Sequence, residues 1–479
     1  MKVLNLIFVT LFMIVCTLAS GCIQTPQQNR GEIIPPVPDD STHPAPDIPG
    51  EEEKITTSDL IGFVSPAVAY AREMGKEKAI AAFNDPNGQF VQGDLYIFAY
   101  DYNGFVLAEP FHPEIVGTDA RNFTDRYGVP VTRNMAETAR FGIGYVSCDN
   151  PNPKQDNALE PTLSVVADID GTYYIGAGMY SSNGKVYPSV VIAPAIKKST
   201  TDDLIAFVKS AVKYAQINGK EGAINEFRDA NGQFVQGEMA IMAFDFNGTN
   251  LAGPPYSPEL SENSINLINY HDPDSVATIR EMRDLAKMGG GISYTVAKVS
   301  VNGSYVYVPK IDYAEPVDKS WWIFAGIINP DYSQIRYGNF TGVITRDRTR
   351  SELYDLVNST VQYARIHGKE NTLTGINNPG GQFVDGDLFI WAESFDGTIL
   401  ADPFLKDAIG KNFIDYTDPY GQKTTIVAIN TIREGTGFSH AMFPDTAENG
   451  TKSIPKLVYM KAVDEEWWIG SGIYGVEVG

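Results

Sequence analysis

The sequence predicts an α+β protein of three tandem modules, and three observations predict it. A framework block recurs three times, each copy opens with a helix-capping pattern, and each continues into β-rich runs broken by Asn-Gly or Asp-Gly. The block is anchored by Gly75-Lys76-Glu77, Gly219-Lys220-Glu221 and Gly368-Lys369-Glu370. From the first glycine of each, further framework glycines follow at the same spacing: Gly88, Gly93 and Gly104; Gly232, Gly237 and Gly248; Gly381, Gly386 and Gly397. An interval this long suits whole domains rather than solenoid repeats. The modules are placed at residues 56–193, 199–332 and 348–479.

Each module should begin with a helix. Thr56 and Asp59, Thr200 and Asp203, and Thr349 and Glu352 stand three apart, the spacing at which hydroxyl and carboxylate cap opposite backbone donors. Leu60, Val64, Ala67, Val68 and Ala71 then fall on one helical face, repeated by Leu204, Val208, Ala211, Val212 and Ala215. Such a stripe packs on a sheet. The first hairpin of each sheet turns at Asn103-Gly104, Asn247-Gly248 or Asp396-Gly397, pairs suited to a turn that needs positive φ. A second β pair closes each copy: 163–169 with 173–180, 305–313 with 321–328, and 456–463 with 467–474.

The chain of 479 residues has 37 Lys+Arg against 59 Asp+Glu, a net charge of −22 that repels phosphate backbones and argues against nucleic acid as a partner. Three cysteines and five scattered histidines supply neither a disulfide framework nor zinc-ligand spacing, and no serine or cysteine stands beside a likely base. The expectation is a protein that is not an enzyme and needs no cofactor or metal. At the N-terminus Lys2 precedes an apolar run, Leu6 to Leu18, of 13 residues, short of the roughly 20 a membrane span requires. Leu18-Ala19-Ser20-Gly21-Cys22 resembles a lipobox. It implies a signal peptide at 1–21, lipidation at Cys22 and membrane anchoring outside the cytoplasm; an uncleaved N-terminal anchor is the alternative. Residues 22–55 carry seven prolines and few large apolar residues, and read as a stiff tether.

In their order and spacing, the Gly-Lys-Glu helix end, the Gly-Gln-Phe-Val-x-Gly stretch before the sheet, the Asn-Gly hairpin followed by Leu107-Ala108, the Gly-x-Gly-aromatic strand at Gly142-Ile143-Gly144-Tyr145 and the terminal Ile469-Gly470-Ser471-Gly472-Ile473-Tyr474 resemble Cache domains. These are extracytoplasmic PAS-like sensor modules of chemoreceptors and sensor kinases, and the likeness is to their single-module, type 2 form. The resemblance implies a cavity between sheet and flanking segments for a small organic anion such as a carboxylate, or for an amino acid. Arg133 and Arg280, nine residues before the first glycine of each Gly-x-Gly, match the family's arginine, while the third copy has Ile426. A guanidinium clamps a carboxylate in bidentate fashion, so modules one and two are expected to suit anions better. Tyr96, Phe98, Tyr100 and Tyr145 in the first copy, Phe244 in the second, and Phe389, Trp391 and Phe438 in the third are the candidate aromatic lining. Glu109-Pro110 and Asp402-Pro403 replace the family's frequent His-Pro, and carboxylates there favour a cation or amine instead. The expected function is a membrane-anchored small-molecule sensor acting through a separate transmembrane signalling or transport partner. The alternative is a non-binding structural or adhesive surface protein whose cavities are filled.

Overall fold

The three capping patterns form as the sequence predicts. The computed structural model describes residues 55–152, 155, 158–182, 199–253, 264–301, 304–328, 348–386, 388–435, 437–444 and 453–474. The expected signal peptide, Cys22 and all of the tether but residue 55 lie outside the described residues. All the elements below belong to one unit, Lys54–Gly479. No described helix is long and apolar enough to cross a membrane.

Helices α1 (Thr57–Met74), α2 (Lys76–Phe83) and α3 (Val131–Arg140) belong to the first segment, α4 (Thr201–Arg228) and α5 (Thr278–Lys287) to the middle one, and α6 (Arg350–His367), α7 (Lys369–Ile376) and α8 (Thr424–Glu434) to the third. At the start of α1, Thr56 Oγ1 accepts the Asp59 N–H at 3.2 Å and the Asp59 carboxylate accepts the Thr56 N–H at 2.8 Å. Thr200 with Asp203 and Thr349 with Glu352 close the same box. Gly-Lys-Glu marks a corner where one helix turns into another. Gly75 takes φ 80° and ψ 160°, and Gly219, within the kinked α4, and Gly368 are nearly identical. Nothing lies within 4 Å of a Cβ added at Gly75, so backbone conformation rather than crowding demands glycine.

The first segment supplies strands β1 (Val91–Gln92), β2 (Leu95–Tyr96), β3 (Phe98–Asp101), β4 (Val106–Ala108), β5 (Ile143–Asn152), β6 (Ala158–Asp168) and β7 (Tyr173–Tyr180). The middle segment supplies β8 (Val235–Gln236), β9 (Met239–Ala240), β10 (Met242–Asp245), β11 (Asn250–Ala252), β12 (Ile265–Asn269), β13 (Gly291–Val301), β14 (Ser304–Pro316) and β15 (Trp321–Ile328). The third supplies β16 (Val384–Asp385), β17 (Leu388–Phe389), β18 (Trp391–Ser394), β19 (Ile399–Ala401), β20 (Phe438–Pro444), β21 (Ser453–Ala462) and β22 (Trp467–Tyr474). Three sheets share one antiparallel order: β4-β3-β7-β6-β5, β11-β10-β15-β14-β13 and β19-β18-β22-β21-β20. The fold class is α+β.

One face of each sheet carries the long capped helix. Leu60, Val64, Ala67 and Ala71 of α1 are buried with Leu163, Val165, Ile175 and Ala177. The opposite face is covered by the shorter helix, with Met135 and Ala139 of α3 set against Phe98, Val166 and Tyr174. The segments are not separate beads. Strand β12 of the middle segment adds to the first sheet, parallel to β5, with Ile265 opposite Ile143 and Asn266 opposite Gly144. Ile265, Leu267 and Ile268 thereby join a core that continues into Met242, Phe244, Trp322 and Phe324 of the middle sheet.

Candidate ligand cavity

The third segment holds a cavity of about 210 Å³ between its sheet, α8 and the loop through Asp402, Phe413 and Gln422. Strand alternation builds it. Phe389, Trp391 and Glu393 come from the first hairpin, Lys456, Val458 and Met460 from β21, and Ser439 and Ala441 from β20; Trp468, Val427 and Ala428 complete an apolar wall.

Lys456, Glu393, Gln422 and Asp402 are among the polar groups of the lining, with Ser439 and His440 from β20. Lys456 is 2% exposed, with Nζ 4.8 Å from the Phe389 ring centroid and 5.3 Å from that of Trp391. Aromatic faces stabilise a desolvated ammonium. The middle segment has Lys310 at the same strand position, three residues before a tyrosine that pairs with the opening of β13, as Tyr459 pairs with Phe438 of β20. Lys310 is ion-paired with fully buried Asp312, which also accepts the Thr295 hydroxyl at 2.6 Å. In the third segment Val458 stands where Asp312 stands, and the lysine lines the cavity. Glu393 is 4% exposed; burial pushes its carboxyl up to about 7 against a restraining bond from Thr425. Among the described residues, Glu393 Oε1 and Gln422 Oε1 are buried acceptors that meet no hydrogen-bond donor. Asp402 accepts the N–H groups of Phe404 at 2.8 Å and Leu405 at 2.7 Å, which fixes the turn at the rim. A buried lysine in an apolar chamber suits a small molecule with an apolar body and an anionic end, and the two buried acceptors would further favour a donor on that body.

The first segment repeats part of this frame. Tyr96 meets Phe111 edge-on at 5.2 Å, as Phe389 meets Phe404 at 4.9 Å. Glu109 is buried where Asp402 is, and burial raises its pKa against a hydrogen bond from Tyr96. Phe98 and Tyr100 pack edge-on at 5.7 Å, and Tyr100 stacks on Tyr174 at 6.0 Å, all on the α3 side. Tyr145 lies on the other face, buried in the α1 core with its hydroxyl 3.4 Å from the Thr57 carbonyl. Phe438 has the same parity: it packs against Tyr459 at 4.6 Å and Tyr127 at 5.6 Å in the α6 core, not in the cavity. The reason is the period of two: the aromatic after Gly-x-Gly points away from the face that carries Ser439 and Ala441.

The two arginines also sit otherwise than expected. Arg133 is exposed on α3. Arg280 is 4% exposed, with Nη1 2.6 Å from Glu434 and Nη2 3.1 Å from Glu137, and it also bonds Asn269. Its guanidinium is committed to carboxylates of the other two segments, so it is a joint rather than a ligand clamp. Phe244 stacks on Trp322 at 5.3 Å and on Phe324 at 5.9 Å, and Leu267, Ile279 and Met282 pack into the same core. The middle sheet thus fills the face that the third leaves open. The expected anion clamp is therefore not formed by Arg133 or Arg280, and the cavity seen here draws its positive charge from Lys456 together with His440, which also lines it and whose pKa burial lowers but Asp272 and Asp274 raise to about 9. The available signal was a lysine alternating with Val458 and Met460 on a strand otherwise apolar on that face.

Among the described residues no group of His, Cys, Asp and Glu is arranged to hold a metal, and Cys148 is a buried free thiol whose pKa burial raises. The family model described as Single Cache domain 2 matches residues 69–184 and 341–478. Similar solved structures include a methyl-accepting chemotaxis protein from Vibrio parahaemolyticus, at 20% identity over 26% of this chain and 86% of that one, TM-score 0.23. Another is a Cache chemosensory domain described for carboxylic acid recognition, at 19% identity over 26% and 88%, TM-score 0.22. A third is the ligand-binding domain of the Pseudomonas fluorescens chemoreceptor CtaA in complex with L-isoleucine, at 13% identity over 57% and 84%, TM-score 0.16. No curated protein sequence matches this chain. The two matched stretches make up just over half of the 479 residues, and the chain belongs to the Single Cache domain 2 family.

Proposed function

We propose that this chain is an extracytoplasmic small-molecule sensor of three tandem Cache modules, lipid-anchored at Cys22, whose working cavity is in the third module and takes a small organic carboxylate. It passes the bound state to a separate membrane partner and performs no catalysis. The observation that carries the reading is Lys456, 2% exposed at the wall of an apolar cavity. In the first module Tyr96, Phe98 and Tyr100 are the candidate lining. The middle module supports a second reading for itself alone: with Phe244, Trp322 and Phe324 packed under Leu267 and Met282, it is a structural spacer.

Isothermal titration of the full chain in mild detergent against short carboxylates, amino acids and amines tests this. The expected result is saturable binding of a carboxylate such as butyrate. No binding of any compound by well-folded protein returns the whole chain to the structural reading.

A further inference from the structure

The cavity of the third module shares a wall with the middle one. Ser439 on β20 lines the cavity and is 1% exposed, and its hydroxyl donates to Glu281 Oε2 at 2.9 Å. Glu281 is on α5 of the middle module, and its other oxygen accepts the Ser293 hydroxyl at 2.7 Å. Helix α5 also grips α8 through Arg280 and Glu434, and α8 contributes Val427 and Ala428 to the same cavity. Two walls of the chamber are therefore held by one helix from the neighbouring module.

Resting on the carboxylate reading above, we propose that Glu281 is a positioning residue for this cavity: it fixes the direction of the Ser439 hydroxyl and so sets whether that part of the wall donates or only accepts hydrogen bonds. A serine has one proton. While Glu281 is a carboxylate, that proton is drawn out of the cavity and Ser439 shows an anionic ligand only lone pairs. Once Glu281 holds a proton it donates to Ser439, whose own proton turns to the ligand, and a buried negative charge near the anion is removed as well. Both effects strengthen anion binding as Glu281 is protonated.

The titration falls in the neutral range. Burial pushes the Glu281 carboxyl up to about 7; Ser293, Ser439 and His440 pull it down, and Asp272 pushes it up. Asp274 and Asp272 face His440 from the preceding loop at 3.3 Å each, Arg350 faces Asp274, and Arg280, Asp284 and Glu434 lie on the α8 side.

The experiment is calorimetric titration of butyrate into the full chain between pH 6 and pH 8. Wild type binds more tightly at pH 6, and one linked proton contributes up to about tenfold per pH unit. Glu393 titrates in the same range, so the reading is the difference between wild type and variant. Glu281→Gln, whose amide donates to Ser439 at every pH, keeps the pH 6 affinity and shows a shallower profile; Ser439→Ala, which keeps the Glu281 charge, flattens it in part. Wild-type profiles in both variants overturn the proposal while leaving the carboxylate reading intact. If Glu281→Gln does not fold, Ser439→Ala decides alone. Failure of wild type to bind butyrate at either pH overturns the carboxylate reading, and this proposal with it.

Discussion

Arg280 Nη1 lies 2.6 Å from Glu434 Oε2 across the joint between the middle and third modules, and the other arm of the same guanidinium reaches Glu137 of the first at 3.1 Å. One side chain, 5% exposed, ties together three segments distant in sequence. Burial pushes the Glu434 carboxyl up, yet Arg283 and Arg280 outweigh it and hold the pKa below the usual value. Glu137 and Glu434 are each about a third exposed and Glu434 keeps Arg283 at 3.0 Å, so losing Arg280 costs about 1.5–3 kcal/mol, the range for a hydrogen bond to a charged group, rather than the larger penalty of a broken buried pair. Urea unfolding of Arg280→Ala should show a loss of that order, with a smaller loss for Arg280→Met, which refills the space. A change below about 0.5 kcal/mol in Arg280→Ala would mean that the ion pairs do not hold the joint.

Lys456 carries the anion reading, and Lys456→Met keeps its length and apolar contact with Phe389 and Trp391 while removing the charge. A hydrogen bond to a charged group contributes about 1.5–3 kcal/mol, so butyrate affinity should fall roughly 10- to 100-fold. Circular dichroism checks that the fold persists. Equal affinity in the variant removes Lys456 from recognition.

Glu393 makes a pH prediction with a definite sign. Burial raises its folded pKa to about 7, above the ordinary 4.5, so between those values the native state holds a proton that the unfolded chain has released. Stability from this group is therefore lost as pH rises from about 4.5 to 7, by at most about 3 kcal/mol. His440 acts in another window. Burial lowers its pKa, but Asp272 and Asp274 outweigh that and raise it to about 9, so its contribution persists below 6.5 and is lost as pH rises through 9. Thermal unfolding of Glu393→Gln should match wild type near pH 5 and exceed it near pH 8. A constant difference across that range would show that Glu393 does not titrate there.

What the sequence made legible was whatever is decided within a few residues. Thr56 and Asp59 cap a helix because they are three apart, and Asn103-Gly104 turns because Gly104 can take φ 87°. Strand parity is equally local, but a place beside Gly-x-Gly does not by itself tell which face an aromatic takes, and the alternation turns Tyr145 and Phe438 toward α1 and α6 rather than into a cavity. The joints were not legible at all. That Arg280 is met by Glu137 and Glu434, 143 and 154 residues away, and that β12 adds to another module's sheet, depends on how finished modules pack, which no repeat spacing encodes.

The same register explains which cavity is open and allows it to be closed. Phe98 pairs with Gly176, Met242 with Phe324 and Trp391 with Gly470, so one strand position is glycine in the first and third modules and phenylalanine in the middle one. Where it is glycine, the facing ring closes on the space a Cβ would take; where it is Phe324, that ring helps fill the face. A Cβ on Gly470 would stand 2.6 Å from Trp391 Cζ2, too close for any side chain, and an indole cannot yield by bending. Gly470→Ala should push the Trp391 ring into the cavity, at a cost of about 1–3 kcal/mol in stability. Gly470→Phe should reproduce the filled middle module. Both should abolish butyrate binding with Lys456 and Glu393 untouched, and the tryptophan emission of Gly470→Ala should shift with the new environment of Trp391. Unchanged butyrate affinity in a folded Gly470→Phe chain would place the binding site outside this cavity.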